Sequence, residues 1–173
     1  ADANERLAAA SALGEARETR ALTALLAALH SEPDLFVRET ITWSLVRLGE
    51  PALQPLADAL RHEQAHVRQD AAHALGKIGD NRALDALIGI LGDSEVRVVI
   101  KSVQALGQIG DGRAASALAP LLGHDHAELR ATLSTALGQL RQTALPLLIR
   151  ALSDARLPVR EHAVEALGVI GGA

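Results

Sequence analysis

The 173-residue chain contains no cysteine, no methionine and no tyrosine, and its aromatic content is one phenylalanine, Phe36, and one tryptophan, Trp43. Without cysteine there is no disulfide framework and no thiolate metal site. Positive charge is in short supply as well: 17 Lys and Arg stand against 21 Asp and Glu, a formal net charge of −4. A surface built to displace counterions from phosphates needs the opposite balance, so nucleic acid is not an expected partner. No apolar run approaches the roughly 18 residues of a membrane span, and the start, Ala1-Asp2-Ala3-Asn4, is no signal peptide. No membrane association is expected, and a cytoplasmic protein is the expectation. The absence even of an initiator methionine points to a processed product or an excised segment of something longer.

What the chain does have is Ala, Leu, Ile and Val, which carry nearly all of its 49% hydrophobic residues. Helix formers dominate and no segment alternates apolar and polar residues over strand length, so an all-α protein is predicted. Self-comparison then finds a repeat. Ala-Leu-Gly recurs at residues 12–14, 74–76, 105–107, 136–138 and 166–168, with Ser44-Leu45-Val46 as a degenerate copy. The leucines at 13, 45, 75, 106, 137 and 167 are spaced 30 to 32 residues apart. Eight positions before the Gly stands an arginine in five copies, namely Arg6, Arg38, Arg68, Arg130 and Arg160; Val99 replaces it in the sixth. Gly-Asp turns such as Gly79-Asp80 and Gly110-Asp111 end one helix and open the next, through a left-handed Gly and an N-capping Asp. Eleven helices are predicted, alternately of a first and a second type, beginning near residues 4–14 and ending near 158–170.

Val67-Arg68 through Asp80 resembles, nearly position for position, the short HEAT-like repeat of phycobilisome lyase relatives and of artificial repeat binders. The resemblance runs through essentially the whole chain. It implies a right-handed α-solenoid (an α-α superhelix) of about five and a half helix pairs, with units near 1–30, 31–61, 62–92, 93–123, 124–153 and an incomplete 154–173. The glycine inside each first helix costs about 1 kcal/mol relative to alanine, so its recurrence predicts a neighbouring helix passing too close for a side chain. The recurring arginine sits at the unfavourable end of the helix dipole and calls for a carboxylate, with Asp80, Asp93, Asp111 and Asp154 as candidates.

His62-Glu63-Gln64-Ala65-His66 is a literal H-E-x-x-H string, yet the repeat register puts it in a connection rather than on one helix face, where zinc chemistry would need it. Deoxyhypusine hydroxylase, a HEAT-like di-iron enzyme, carries His-Glu pairs just after the arginine; here those places hold Glu39-Thr40, Gln69-Asp70, Ile100-Lys101, Ala131-Thr132 and Glu161-His162. No catalytic residue, metal site or cofactor is therefore assigned.

Two surfaces remain. The resemblance implies that the second helices line the concave face, where Arg20, Thr23, Gln54, Asp58, Arg82, Asp85, Arg113, Ser116 and Arg150 form a mixed-charge groove suited to a protein or peptide. On the first helices, Phe36, Trp43, Val99 and Ile100 stand in columns that are otherwise mostly polar and suggest a contact patch. The expected function is a non-enzymatic interaction scaffold. The alternative is the interaction segment of a larger enzyme, or a lyase- or chaperone-type protein acting on a tetrapyrrole-bearing or metal-dependent partner. End-to-end self-association is a further expectation, because the last helix has no second helix to cover it.

Overall fold

The computed structural model describes residues 2–172. Its first-type helices are α1 (Ala3–Glu15), α3 (Leu35–Leu48), α5 (Ala65–Ile78), α7 (Val96–Ile109), α9 (Ala127–Gln139) and α11 (Leu157–Gly171). The second-type helices are α2 (Leu22–Ser31), α4 (Glu50–Ala59), α6 (Leu84–Ile88), α8 (Arg113–Leu118) and α10 (Arg141–Ala151), with short 3₁₀ turns flanking α2, α6 and α8. Each boundary has a local cause. Asp2 and Glu5 form a reciprocal capping box at the start of α1, and Asp34 accepts from the N–H groups of Phe36 and Val37 at the start of α3. Gly79 and Gly110 end α5 and α7 at φ 72° and 73°, a left-handed geometry that glycine adopts without strain.

The repeated leucine faces the space between the two layers. Leu45, Leu75, Leu106 and Leu137 are buried to 1% exposure or less, and each joins one continuous apolar core with Leu29, Leu56, Leu87, Leu118 and Leu148. Its copies at the two ends, Leu13 and Leu167, are partly open because each lacks one neighbouring repeat.

The two layers are packed unequally. A Cβ placed on Gly76 would lie 2.7 Å from the Cα of Ala105, and one on Gly107 would lie 2.9 Å from the Cα of Ala136. Consecutive first helices thus run nearly backbone to backbone, which is why glycine recurs there despite its helix cost. Consecutive second helices touch at far fewer points. The first helices therefore form the more closely packed of the two layers.

Candidate functional site

On the exposed side of the first helices, the positions six before, three before and one after the repeated glycine form a single helical stripe, and neighbouring helices bring their stripes together. The column three before the glycine reads Trp43, His73, Gln104, Thr135; the column one after it reads Arg47, Lys77, Gln108, Gln139. Between α5, α7 and α9 these side chains bound a pocket of about 420 Å³ lined by His73, Lys77, Lys101, Gln104, Gln108, Thr132, Thr135 and Gln139. Lys77 and Lys101 are the two lysines of the chain, and no carboxylate is among the lining residues.

Burial pushes the His73 imidazole below the ordinary histidine pKa, and the charges of Lys101 and Lys77 push the same way. It is held neutral near pH 7. Trp43 stands at the rim, edge-on to His73 with ring centroids 6.1 Å apart, and the Lys77 ammonium lies 5.9 Å from the Trp43 ring centroid. Beside this pocket lies a smaller one, lined by Leu35, Glu39, Thr42, Gln69, Asp70, His73 and Lys101. Burial raises the Asp70 carboxyl above the usual carboxylate range, against the pull of Arg38 at 3.3 Å. Desolvation outweighs a single long ion pair.

The repeat arginines, by contrast, are engaged within the chain. Arg68 donates to both oxygens of Asp93 at 2.7 and 2.8 Å and to the carbonyls of His62 and Glu63 at 2.8 Å each. Arg38, Arg130 and Arg160 grip the carbonyls five and six residues before them in the same way, so each staples the connection leading into its own helix. Arg6 reaches Glu32 at 2.7 Å. Of the four expected carboxylate partners, Asp93 pairs with a repeat arginine. Asp80, Asp111 and Asp154 instead pair with Arg82, Arg113 and Arg156, two residues further on, where the turn geometry closes a shorter loop.

The sequence-predicted surface residues divide. Phe36 is 72% exposed and Trp43 43%. Val99 and Ile100 are buried, at 5% and 3%, so they form no surface patch. The reason is local: α7 is packed between α5 and α9, and an apolar side chain in the arginine slot folds into the core where an arginine would reach out to a loop. Arg20, Thr23, Gln54, Asp58, Arg82, Asp85, Arg113, Ser116 and Arg150 are all exposed, on the second-helix side of the stack. There Glu50 pairs with Arg82 at 2.8 Å, Asp85 approaches Arg113 at 3.8 Å, and Gln54 donates to Asp58.

The H-E-x-x-H string lies across the α4–α5 connection, with α5 starting at Ala65, so His62 and His66 do not share a helix. Among the described residues, no group of three His, Cys, Asp or Glu side chains is placed to hold a metal ion. His30 stacks on His62 across the repeat, with ring centroids 4.5 Å apart. Sequence reading missed Lys77, Lys101, His73 as a lining residue, and Asp70. The signal was present: the two lysines fall six before and one after the glycine, on the stripe that also carries Trp43 and His73.

A family model for HEAT repeats matches residues 1–72, 53–138 and 115–173. The chain belongs to the HEAT repeat family. Among curated proteins, this HEAT repeat chain is 36% identical over 99 residues to the phycocyanobilin lyase subunit alpha of Picosynechococcus sp. (strain ATCC 27264 / PCC 7002 / PR-6), a match covering 52% of the chain and 37% of the relative's length. Among solved structures it is similar to the complex of CpcE and CpcF of phycocyanin lyase from Nostoc sp. PCC7120, with a TM-score of 0.62 and 30% identity, covering 99% of this chain and 73% of that one. A designed armadillo repeat protein in complex with the peptide (KR)4 shares the fold, with a TM-score of 0.58 and 22% identity over 95% of this chain and 91% of that one. The expectation of a non-enzyme is overturned by the first two comparisons, since both relatives are named as lyase subunits. These solved neighbours are complexes with protein or peptide partners. Among the described residues, no helix is long and apolar enough to cross a membrane.

Proposed function

We propose that this chain serves as a subunit, or the repeat segment of a subunit, in a lyase that handles an open-chain tetrapyrrole of the phycocyanobilin type on a protein carrier. The observation that carries the reading is the 30% identity to phycocyanin lyase over 99% of the chain. The first-helix face suits the task. Its open pocket offers neutral amide and hydroxyl donors, two ammonium groups and an adjoining aromatic rim, and pockets of roughly 300–1,000 Å³ are the usual scale of small-molecule sites. Asp70, whose carboxyl burial keeps on the protonated side of its usual range, and neutral His73 lie one turn apart on α5 as the acid and base candidates. The chain has no cysteine, tyrosine or other side chain set up as a covalent carrier, so the acceptor is the partner protein. Phe36 and Trp43, exposed and seven residues apart on α3, are the proposed anchors for that partner.

The open face of α11 is the proposed junction with further repeats, of the same protein or of a second subunit. Leu157, Val164 and Val169 are 55%, 61% and 44% exposed, and a Cβ on Gly168 would meet nothing within 4 Å, unlike one on Gly76 or Gly107. The experiment is reconstitution. The chain is co-produced with a second lyase subunit, a phycocyanin apoprotein and phycocyanobilin, and the apoprotein is scored for covalently held pigment after denaturing electrophoresis. Pigment transfer that requires this chain supports the proposal. Equal transfer without it removes the lyase reading.

A further inference from the structure

We propose that the pocket between α5, α7 and α9 is a seat for two carboxylates carried on one flat, conjugated ligand, with Lys77 and Lys101 as the anchoring residues. The inference rests on the tetrapyrrole reading, which it makes specific: such pigments carry two propionic acid side chains, and the seat takes those rather than the ring system.

Four observations converge on it. Both lysines of the chain line this one pocket. Among the described residues neither forms an ion pair, whereas the repeat arginines find their carbonyls and carboxylates within the chain. The lining contains no carboxylate to compete, and its remaining polar groups are glutamines, threonines and a neutral histidine, all able to hydrogen-bond an anion without repelling it. Lys101 also borders the adjoining smaller pocket, whose acids are Glu39 and Asp70, and there Arg38 engages Asp70 at 3.3 Å.

Lysine suits the role. A compact ammonium on a flexible stem attracts a carboxylate as a point charge without demanding one orientation, which fits a ligand whose acid groups hang on short chains. Cations that form no ion pair among the described residues and face a cavity of 420 Å³ add little to folding. The flat body of the ligand then lies toward the rim, where the Trp43 ring already carries Lys77 at 5.9 Å. An arriving carboxylate draws that ammonium off the ring, so the sole tryptophan reports occupancy.

The test is a fluorescence titration of Trp43 in the full chain with three probes: biliverdin free acid, biliverdin dimethyl ester and mesoporphyrin free acid. A double variant, Lys77→Gln with Lys101→Gln, is titrated alongside, and Arg61→Gln, an exposed arginine outside the pocket, serves as the charge control. An unchanged thermal midpoint of the double variant checks that it folds. Should it not fold, Lys77→Gln and Lys101→Gln are titrated singly.

The expected result is saturable quenching by biliverdin. Affinity should fall about tenfold or more both for the double variant and for the ester, while Arg61→Gln binds as the parent does. If acid and ester bind alike, or the double variant binds biliverdin as the parent does, the carboxylate seat is overturned and the tetrapyrrole reading stands. If mesoporphyrin binds in a lysine-dependent way while biliverdin does not bind, the seat stands and the open-chain reading falls. If no acid quenches Trp43, both fall.

Discussion

Two sets of cations in this molecule have opposite fates. Along the edge where second helices turn into first helices, the arginines eight before each glycine are consumed by the chain itself. Arg68 alone makes four hydrogen bonds, two to Asp93 and two to backbone carbonyls. On the neighbouring stripe of the first helices, Lys77 and Lys101 form no ion pair among the described residues, although Asp70 acts on Lys101 at longer range. The difference separates charge that holds the solenoid together from charge left over for something outside it. A guanidinium with five donors in a fixed fork can clamp a loop and an acid together, and its repetition is what a structural ladder requires. An ammonium placed once or twice, away from the repeat pattern, is not explained by the ladder.

The strongest way to break this comparison is to delete one member of each set. Arg68→Ala strands the half-buried Asp93 and the His62 and Glu63 carbonyls. It should cost about 3 kcal/mol of stability in urea denaturation, the range for removing one partner of a buried charged pair. Lys77→Gln with Lys101→Gln should cost no more than about 0.5 kcal/mol, as surface changes do. Equal losses would show that the lysines are structural too.

A pH series sharpens the same contrast. His162 is buried at 1% exposure; its Nδ1 accepts from the Gly123 N–H at 3.1 Å, so Nε2 carries the proton and faces the Arg130 carbonyl at 3.1 Å, with the Ser134 hydroxyl also at 3.1 Å. Protonating Nδ1 would set donor against donor. Burial accordingly pushes this histidine below its ordinary value, and His30 and His73 are shifted the same way. A group with a depressed folded pKa that is neutral when unprotonated stabilises fully above its unfolded value, near 6.5, and loses that contribution as pH falls. Stability should therefore drop between about pH 7 and 5, by up to about 1.4 kcal/mol per pH unit for each such histidine. His162→Asn, which keeps an acceptor for the Gly123 N–H, should flatten the curve without moving the lysine pocket. An unchanged slope would mean that His162 is not held neutral.

The repeat, its helices and its core were readable because they recur. Six copies of one leucine and five of one arginine specify a periodic packing that the structure reproduces at Leu45, Leu75, Leu106 and Leu137. Gly76 and Gly107 were legible as close approaches for the same reason. The site was less legible because it is defined by departures from the repeat. Val99 and Ile100 depart in an apolar direction, and burial between α5 and α9 absorbs them. Lys77 and Lys101 depart in a charged direction, and the first-helix face leaves them open to a pocket.

The smallest expected effect concerns the aromatic pair, and it locates the border between the two kinds of surface. Phe36, at 72% exposed, lies outside the pocket lining, whereas Trp43, at 43%, touches His73 and Lys77 at its rim. Phe36→Ser should change stability by about 0.5 kcal/mol or less, within the range of exposed substitutions. Trp43→Gln should cost about 1 kcal/mol, because it loses an edge-to-face ring contact and an ammonium–ring contact that each contribute about 0.5–1 kcal/mol at half-exposed sites. Acrylamide should quench the parent tryptophan readily. Adding the two lysine substitutions should raise that accessibility slightly, since Lys77 no longer covers the ring. A shielded tryptophan, or a loss of several kcal/mol on Trp43→Gln of the kind seen when a buried aromatic is truncated, would place Trp43 in the core and leave the lysine pocket without its aromatic rim.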